Sequence, residues 1–187
     1  MILIVGLGNP GADFLGTRHN IGRELALAFT LENKLPDFSF KKAWNAQVAE
    51  GKMSGEKVAV ILPDTMMNRS GGAIASAARF FKVKPKHIFV VHDDADLPLG
   101  RAKLSFGKRS AGHKGVESVI RALKTRDFWR FRIGIAGKRN IPAEKLVLKK
   151  FMPDESRIVK KIAKRTVEAL IRAITGRPEK VMNEYNK

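Results

Sequence analysis

The sequence predicts a single α/β domain built around a mixed sheet. Three observations carry that prediction. Residues 2–5 and 87–91 are short apolar runs rich in β-branched and aromatic side chains, the pattern of strands buried on both faces. Longer stretches place apolar residues three and four apart, the spacing of one helix face. A pair of segments flanking Ser54-Gly55 reads as an antiparallel hairpin closed by a tight turn.

Taken in order, residues 2–5 form the first strand. A helix follows over about 20–32, with Ile21, Leu25 and Ala28 on one face. Residues 47–53 and 57–62 are the hairpin strands. Residues 71–81 are helical and rich in small side chains, suited to close packing on a sheet. The strand at 87–91 runs into His92-Asp93-Asp94. Strands at 101–106 and 129–135 bracket a helix at 115–123. The clearest helix spans 154–175, with Asp154 as its N-cap, Gly176 as its stop, and Ile158, Ile162, Thr166, Leu170 and Ile174 as its apolar stripe. The polar tail, 177–187, reads as a short or frayed helix. No repeat, low-complexity block or linker divides the chain, so residues 1–187 are expected to form one domain with a helical segment from about 154. The strand order is not legible.

Charge is the strongest global signal. Thirty-six Lys and Arg against 18 Asp and Glu give a formal net charge of +18 over 187 residues. Such an excess points to a polyanionic partner. The basic side of the 154–175 helix is equally consistent with a solvated face. There is no cysteine, which excludes thiolate catalysis, zinc–cysteine sites and disulfides. No apolar stretch approaches the ~20 residues of a membrane span. The first apolar run is too short for a signal peptide, so a cytoplasmic protein is expected.

Residues 6–11, Gly-Leu-Gly-Asn-Pro-Gly, spell a G-x-G-x-x-G after a strand. A dinucleotide fingerprint also requires an immediate helix and an acid at the end of a second strand about 20 residues on. Pro10, Gly11 and Gly16 interrupt the first, and Glu32 ends a helix rather than a strand. The glycines are therefore read as bending the chain at a strand end, where α/β sheets bind ligands. That loop carries Asn9 and, ten residues later, His19.

His19 is a candidate general base because imidazole titrates near neutral pH. It needs a partner to fix its tautomer and stabilise the imidazolium. Asp93 qualifies if its strand and the first are parallel neighbours. Asp94 and Asp96 raise the question of a metal, but a complete ligand set is missing and none is expected. Asn68 and Ser70 stand just beyond the second hairpin strand. Either suits a helix N-cap, and an amide there also suits a carbonyl or a developing oxyanion.

Together GLGNPG, TRHNIG, TMMNRSG, HDDADLPLG, SAGHKGV and FRIGI resemble, in order, the motifs of the bacterial-type peptidyl-tRNA hydrolases, over residues 1–135 with weaker similarity beyond. The resemblance implies a three-layer α/β/α domain around a twisted, mostly parallel mixed sheet, monomeric and without cofactor or metal. It implies hydrolysis of the ester joining a peptide to tRNA, which recycles tRNA released prematurely from ribosomes. By similarity His19 is the general base and Asp93 its partner. Asn9 recognises the N-blocked peptide backbone, and Asn68 holds the carbonyl or the water. Phe14 and Met66 fall on substrate-contacting positions usually held by tyrosine and an aromatic residue. Lys103 and Arg132 fall on positions that hold tRNA phosphates. Ser105 stands where a lysine is common, a charge that Lys108 or Arg109 would supply.

Independent chemistry agrees with the match. An ester needs little leaving-group assistance, so a base, a water and carbonyl polarisation suffice. No G-x-S-x-G nucleophile elbow is present. The main departure is Lys114, where an asparagine is typical. A lysine accepts no hydrogen bond. It either meets a phosphate of the terminal nucleotide or alters how water is held. A non-catalytic RNA-binding relative of the same fold is the alternative reading.

Overall fold

The computed structural model describes residues 1–137 and 141–187. Its elements are β1 (Ile2–Gly6), α1 (Ile21–Glu32), β2 (Ser39–Lys41), β3 (Ala46–Met53), β4 (Glu56–Pro63), α2 (Ser70–Phe80), β5 (Ile88–Pro98), β6 (Ala102–Phe106), α3 (Lys114–Leu123), β7 (Trp129–Ala136), α4 (Ala143–Leu146), α5 (Ser156–Thr175) and α6 (Pro178–Tyr185). The seven strands form one sheet in the order β2-β3-β4-β1-β5-β7-β6. Four central strands are parallel, and antiparallel strands close both edges.

Alternate residues of each central strand feed different layers. Ile4, Val60, Val91 and Phe131 pack under α1, α5 and α6 through Leu25, Phe29, Ile162 and Leu170. Leu3, Val5, Ile61 and Val90 pack under α2 and α3 through Ile74, Ala77, Val116 and Val119. This is the three-layer α/β/α arrangement. The helix after β1 lies on one face and the helix after β4 on the other, so the chain diverges at the carboxyl ends of these adjacent strands. That divergence opens a crevice, the usual ligand site of such sheets.

Several expectations are refined. The hairpin forms as predicted, with Ser54 and Gly55 both at positive φ (48° and 86°), as a two-residue turn matching strand twist requires. The strand expected to end before His92 continues to Pro98, because β7 pairs with it as far as Asp94 and again at Pro98. The helical face of α1 uses Phe29 rather than Ala28. The long helix begins at Ser156 rather than Asp154, and Ile158 is exposed, because the buried stripe starts only at Ile162. Asp154 does not cap it. The tail is an ordered helix whose Val181 and Tyr185 enter the core. After it, the Asn186 side chain donates to the Leu104 carbonyl (2.9 Å) and accepts from the Leu104 amide (2.7 Å), sealing the edge strand β6. The exposed three-residue β2 and the four-residue α4 were not anticipated, being too short for a periodic signal.

The GLGNPG glycines act differently from the expectation. Gly6 and Gly8 keep negative φ, and only Gly11 is at positive φ (101°). A Cβ on Gly6 would lie 2.6 Å from the Ala26 Cβ and 2.8 Å from the Gly22 carbonyl. A Cβ on Gly22 would lie 2.2 Å from the Val91 carbonyl. Facing glycines therefore let the start of α1 lie directly on β1 and β5.

Candidate active site

A cavity of about 520 Å³ opens at that crevice. Its wall includes Asn9, His19, Met66, Asn68, Asp93, His113 and Lys114, with Ala143, Glu144, Val147 and Leu148 opposite. Five segments that are far apart in sequence thus converge.

His19 lies in the 3₁₀ turn Arg18–Asn20 that leads into α1. Its Nδ1 is 2.8 Å from Asp93 Oδ1. The parallel pairing of β1 with β5 brings the two together. With Nδ1 donating to the carboxylate, Nε2 is the nitrogen left for the cavity. The turn is fixed from behind. The Arg18 and His19 amides donate to the Lys149 and Val147 carbonyls, both at 2.9 Å. The buried Arg18 guanidinium donates to the Ile135 carbonyl (3.0 Å), pairs with Glu155 (2.5 Å) and stacks over Phe151. The segment that supplies Val147 and Leu148 to the wall therefore also holds the backbone of His19.

Asp93 is almost completely buried and has a second partner that sequence reasoning missed. His113 Nε2 lies 2.9 Å from the same Oδ1. His113 is the N-cap of α3, and its Nδ1 accepts from the Gly115 and Val116 amides (3.1 and 3.2 Å). Nδ1 is thereby an acceptor, so Nε2 carries the proton and donates to Asp93. Burial alone would raise the Asp93 pKa, but the two imidazoles hold it well below the ordinary carboxylate range. The signal for His113 was its position before a helix start. His19, Asp93 and His113 also lie close enough to share a cation. Both imidazoles, however, stand at hydrogen-bond length from Asp93, and the helix cap commits His113 Nε2 to donating. The set is assigned as a hydrogen-bonded relay.

Asn9 is buried, and its orientation is fixed. Its Oδ1 accepts from the Met67 amide (2.7 Å), so the NH₂ is the end free to meet a ligand. Its backbone is clasped by Asn20, which accepts from the Asn9 amide (2.8 Å) and donates to the Asn9 carbonyl (3.0 Å). Asn20, buried beside His19, was also missed. Neither Asn68 nor Ser70 caps α2. The Ser70 hydroxyl donates to the Met67 carbonyl (3.0 Å), and the Gly71 amide donates to Ser118 Oγ of α3 (3.0 Å). The Asn68 side chain stands exposed at the cavity wall.

Met66 and Lys114 also reach the wall, both exposed. Phe14 does not. It sits in the turn Ala12–Phe14, outside the residues that line the cavity. Lys103 and Arg132 are register partners on β6 and β7, on the α3 side of the sheet. Arg132 Nε donates to Asp94 Oδ2 at 2.6 Å. Lys108 and Arg109 are exposed on the loop between β6 and α3. Arg130, two residues earlier on β7, is buried. It donates to the Arg109 carbonyl (2.9 Å), and burial with the nearby Arg132 pushes its pKa down to about 10.

The family model described as Peptidyl-tRNA hydrolase matches residues 3–187. The chain belongs to this family. A peptidyl-tRNA hydrolase of Desulfitobacterium hafniense (strain Y51) is 39% identical over the whole of both chains. One from Aquifex aeolicus (strain VF5) is also 39% identical, over 99% of this chain and 96% of its own. Among solved structures, the peptidyl-tRNA hydrolase of Acinetobacter baumannii superposes with a TM-score of 0.92 at 27% identity, covering 100% of this chain and 94% of that one. The glycine-rich opening thus belongs to a peptidyl-tRNA hydrolase fold, and the dinucleotide reading falls. Among the described residues, no helix is long and apolar enough to cross a membrane.

Proposed function

We propose that this protein hydrolyses the ester bond between a peptide and the 3′ ribose of tRNA, with His19 as general base. The observation that carries the reading is the 2.8 Å contact between His19 Nδ1 and Asp93 Oδ1 at the wall of the cavity. His19 Nε2 takes a proton from a water as that water's oxygen adds to the ester carbonyl. The tetrahedral intermediate collapses by breaking the bond to the ribose oxygen, which receives the proton back from Nε2. The products are a peptide carboxyl and a free 3′ hydroxyl. Asp93 stabilises the imidazolium formed in between, and His113 holds Asp93 in place.

The free NH₂ of Asn9 suits a carbonyl of the peptide. A free aminoacyl ester presents an ammonium instead, and two donors would then face each other. Asn68 donates to the ester carbonyl or orients the water. Met66 offers an adaptable apolar contact. Lys114, an exposed cation at the rim, meets a phosphate of the terminal nucleotide. Lys103, Lys108, Arg109 and Arg132 form a basic edge that tracks the tRNA backbone. A cytoplasmic monomer acting as one domain over residues 1–187 completes the reading. The intact His19–Asp93 pair speaks against the non-catalytic alternative.

The test is release of tRNA from N-acetyl-aminoacyl-tRNA by the purified protein in EDTA. Wild type is expected to release it, whereas His19→Ala retains tRNA binding and loses nearly all turnover. Turnover within a factor of a few of wild type would end the general-base assignment.

A further inference from the structure

Away from the cavity, α2 ends in a cluster of three aromatic rings. Phe80 and Phe81 close the helix, and Trp44 joins them from the β2–β3 loop. Ring centroids lie 5.0 Å apart for Phe80–Phe81, 5.1 Å for Trp44–Phe80 and 5.3 Å for Trp44–Phe81, all edge-on. Trp44 and Phe81 are half-buried against the core layer beneath α2. Phe80 is not needed there, since 67% of it is exposed. Its neighbours meet the ring by edge contacts, leaving aromatic surface open to solvent.

The surround is predominantly cationic, with Asp64, bonded to Asn45, as a neighbouring acid. Lys41 and Lys42 precede Trp44, Arg79 precedes Phe80, and Lys82, Lys84 and Lys86 follow Phe81; all six are exposed. Half-buried Val83 and Pro85 alternate with those last three lysines, so the charges are presented outward together. Neither residues 79–87 nor residues 38–49 contain an acidic side chain. Phe80 lies ten residues along α2 from Ser70, roughly 15 Å at 1.5 Å per residue. The patch is therefore distinct from the cavity, yet one RNA molecule could reach both.

We infer that this patch is a second RNA-binding surface, taking an unpaired base on Phe80 and the adjoining phosphates on the surrounding lysines. A flat, exposed ring within a basic field is the combination that binds single-stranded nucleic acid without reading its sequence. An anionic bilayer would instead call for several apolar side chains reaching into its interface together. Here one ring stands out while its two companions are packed against the core. The inference goes beyond the proposed hydrolysis, and the binding it describes is measurable whether or not that reading holds.

The decisive measurement is fluorescence anisotropy with a labelled ten-nucleotide single-stranded RNA, using the intact protein. Phe80→Ser should weaken binding at least fivefold, the lower range for loss of one base–aromatic stack. Lys82→Glu/Lys84→Glu, which leaves the rings alone, should weaken it further and flatten its salt dependence. Affinities within twofold of wild type in both variants, at unchanged Tm, would overturn the proposal. So would loss of binding to phosphatidylglycerol vesicles with RNA binding intact, which would mark a membrane surface instead. A kinetic arm identifies the RNA. If it is the substrate's own body, Phe80→Ser raises KM for N-acetyl-aminoacyl-tRNA but not for the same ester on a short 3′-terminal oligonucleotide. If it is a separate RNA, both KM values stay put while oligonucleotide binding is lost. Failure of wild type to cleave either ester would refute the hydrolase reading and leave the anisotropy result to decide this one.

Discussion

Asp93 Oδ1 accepts hydrogen bonds from two histidines at once, His19 at 2.8 Å and His113 at 2.9 Å. The two donors have different consequences. The first holds the proposed base, and the second draws charge away from the carboxylate that supports that base. Asp93→Asn removes the charge and should lower kcat by roughly 10²–10⁴, the range for disabling a supported general base. His113→Ala should cost far less in kcat and leave KM nearly unchanged. Without that donor the Asp93 carboxylate is held by His19 alone and is less firmly placed behind it. A kcat equal to that of wild type would confine His113 to capping α3.

Asn9 makes a separate prediction about selectivity. Its Oδ1 is committed to the Met67 amide, leaving only donors for a ligand. Asn9→Asp keeps that acceptor and replaces the NH₂ by an oxygen. Activity on N-acetyl-aminoacyl-tRNA should fall by about tenfold or more, the scale of a lost hydrogen bond to a charged or reacting group. The ratio of N-acetylated to free aminoacyl substrate should fall with it. An unchanged ratio would remove Asn9 from substrate discrimination.

Much of this arrangement was legible because local signals and global fold agree. The apolar runs at β1 and β5, the Ser54-Gly55 turn and the amphipathic α5 each carry their own period or turn chemistry. Asp93 and His19 could be paired by assuming parallel neighbours, and β1 and β5 are such neighbours. His113, Asn20 and Arg18 were not legible because their roles depend on contacts made across the fold. Arg18 meets Glu155 137 residues away. The burial of Arg130 was not legible for the same reason, since it rests on the loop carrying Arg109, 21 residues away.

His92 sets a pH dependence of stability. It is fully enclosed, its Nδ1 donating to the Asp93 carbonyl at 2.6 Å, and burial with the neighbouring His113 and Arg130 holds its pKa well below the usual value. The unfolded chain protonates this group near pH 6.5 while the folded chain does not. Between those pKa values the unfolded state binds more protons, so stability falls as pH falls below about 6.5. The slope is up to about 1.4 kcal/mol per pH unit. Asp93, also depressed, adds a loss below its unfolded value near 3.9. Urea denaturation of wild type and His92→Asn between pH 7.5 and 5 should diverge in slope, with the variant flatter. Parallel curves would refute the buried neutral histidine.

The pair between Arg18 and Glu155 ties the turn that carries His19 to the start of α5. Both side chains are largely buried, and Glu155 also accepts from the Met152 amide at 2.8 Å. Removing one partner of a buried pair costs about 3–5 kcal/mol. Arg18→Met should therefore lower Tm by roughly 6–20 °C in a chain of this size. It should also lower kcat more than KM, because the backbone that anchors His19 runs through the same segment. A Tm change below 2 °C would show that the pair is not a buried one in solution.

Lys103 and Arg132 test the basic edge. They are register partners on neighbouring strands, and Asp94 holds only the Nε of Arg132, leaving its terminal nitrogens free to contact phosphate. Each phosphate contact releases counterions, so binding falls with salt at a log–log slope of about −0.7 to −0.9 per contact. Lys103→Gln should weaken tRNA binding at low salt and make the slope shallower by about that amount, with little effect on kcat. Arg132→Gln should do the same, with an added loss because Asp94 Oδ2 then loses its guanidinium partner beside the cavity. If both edge residues touch the backbone, the double variant should show the two slope changes added together, since each phosphate neutralised releases its own ions. A double variant no shallower than either single would place one of the two off the RNA path.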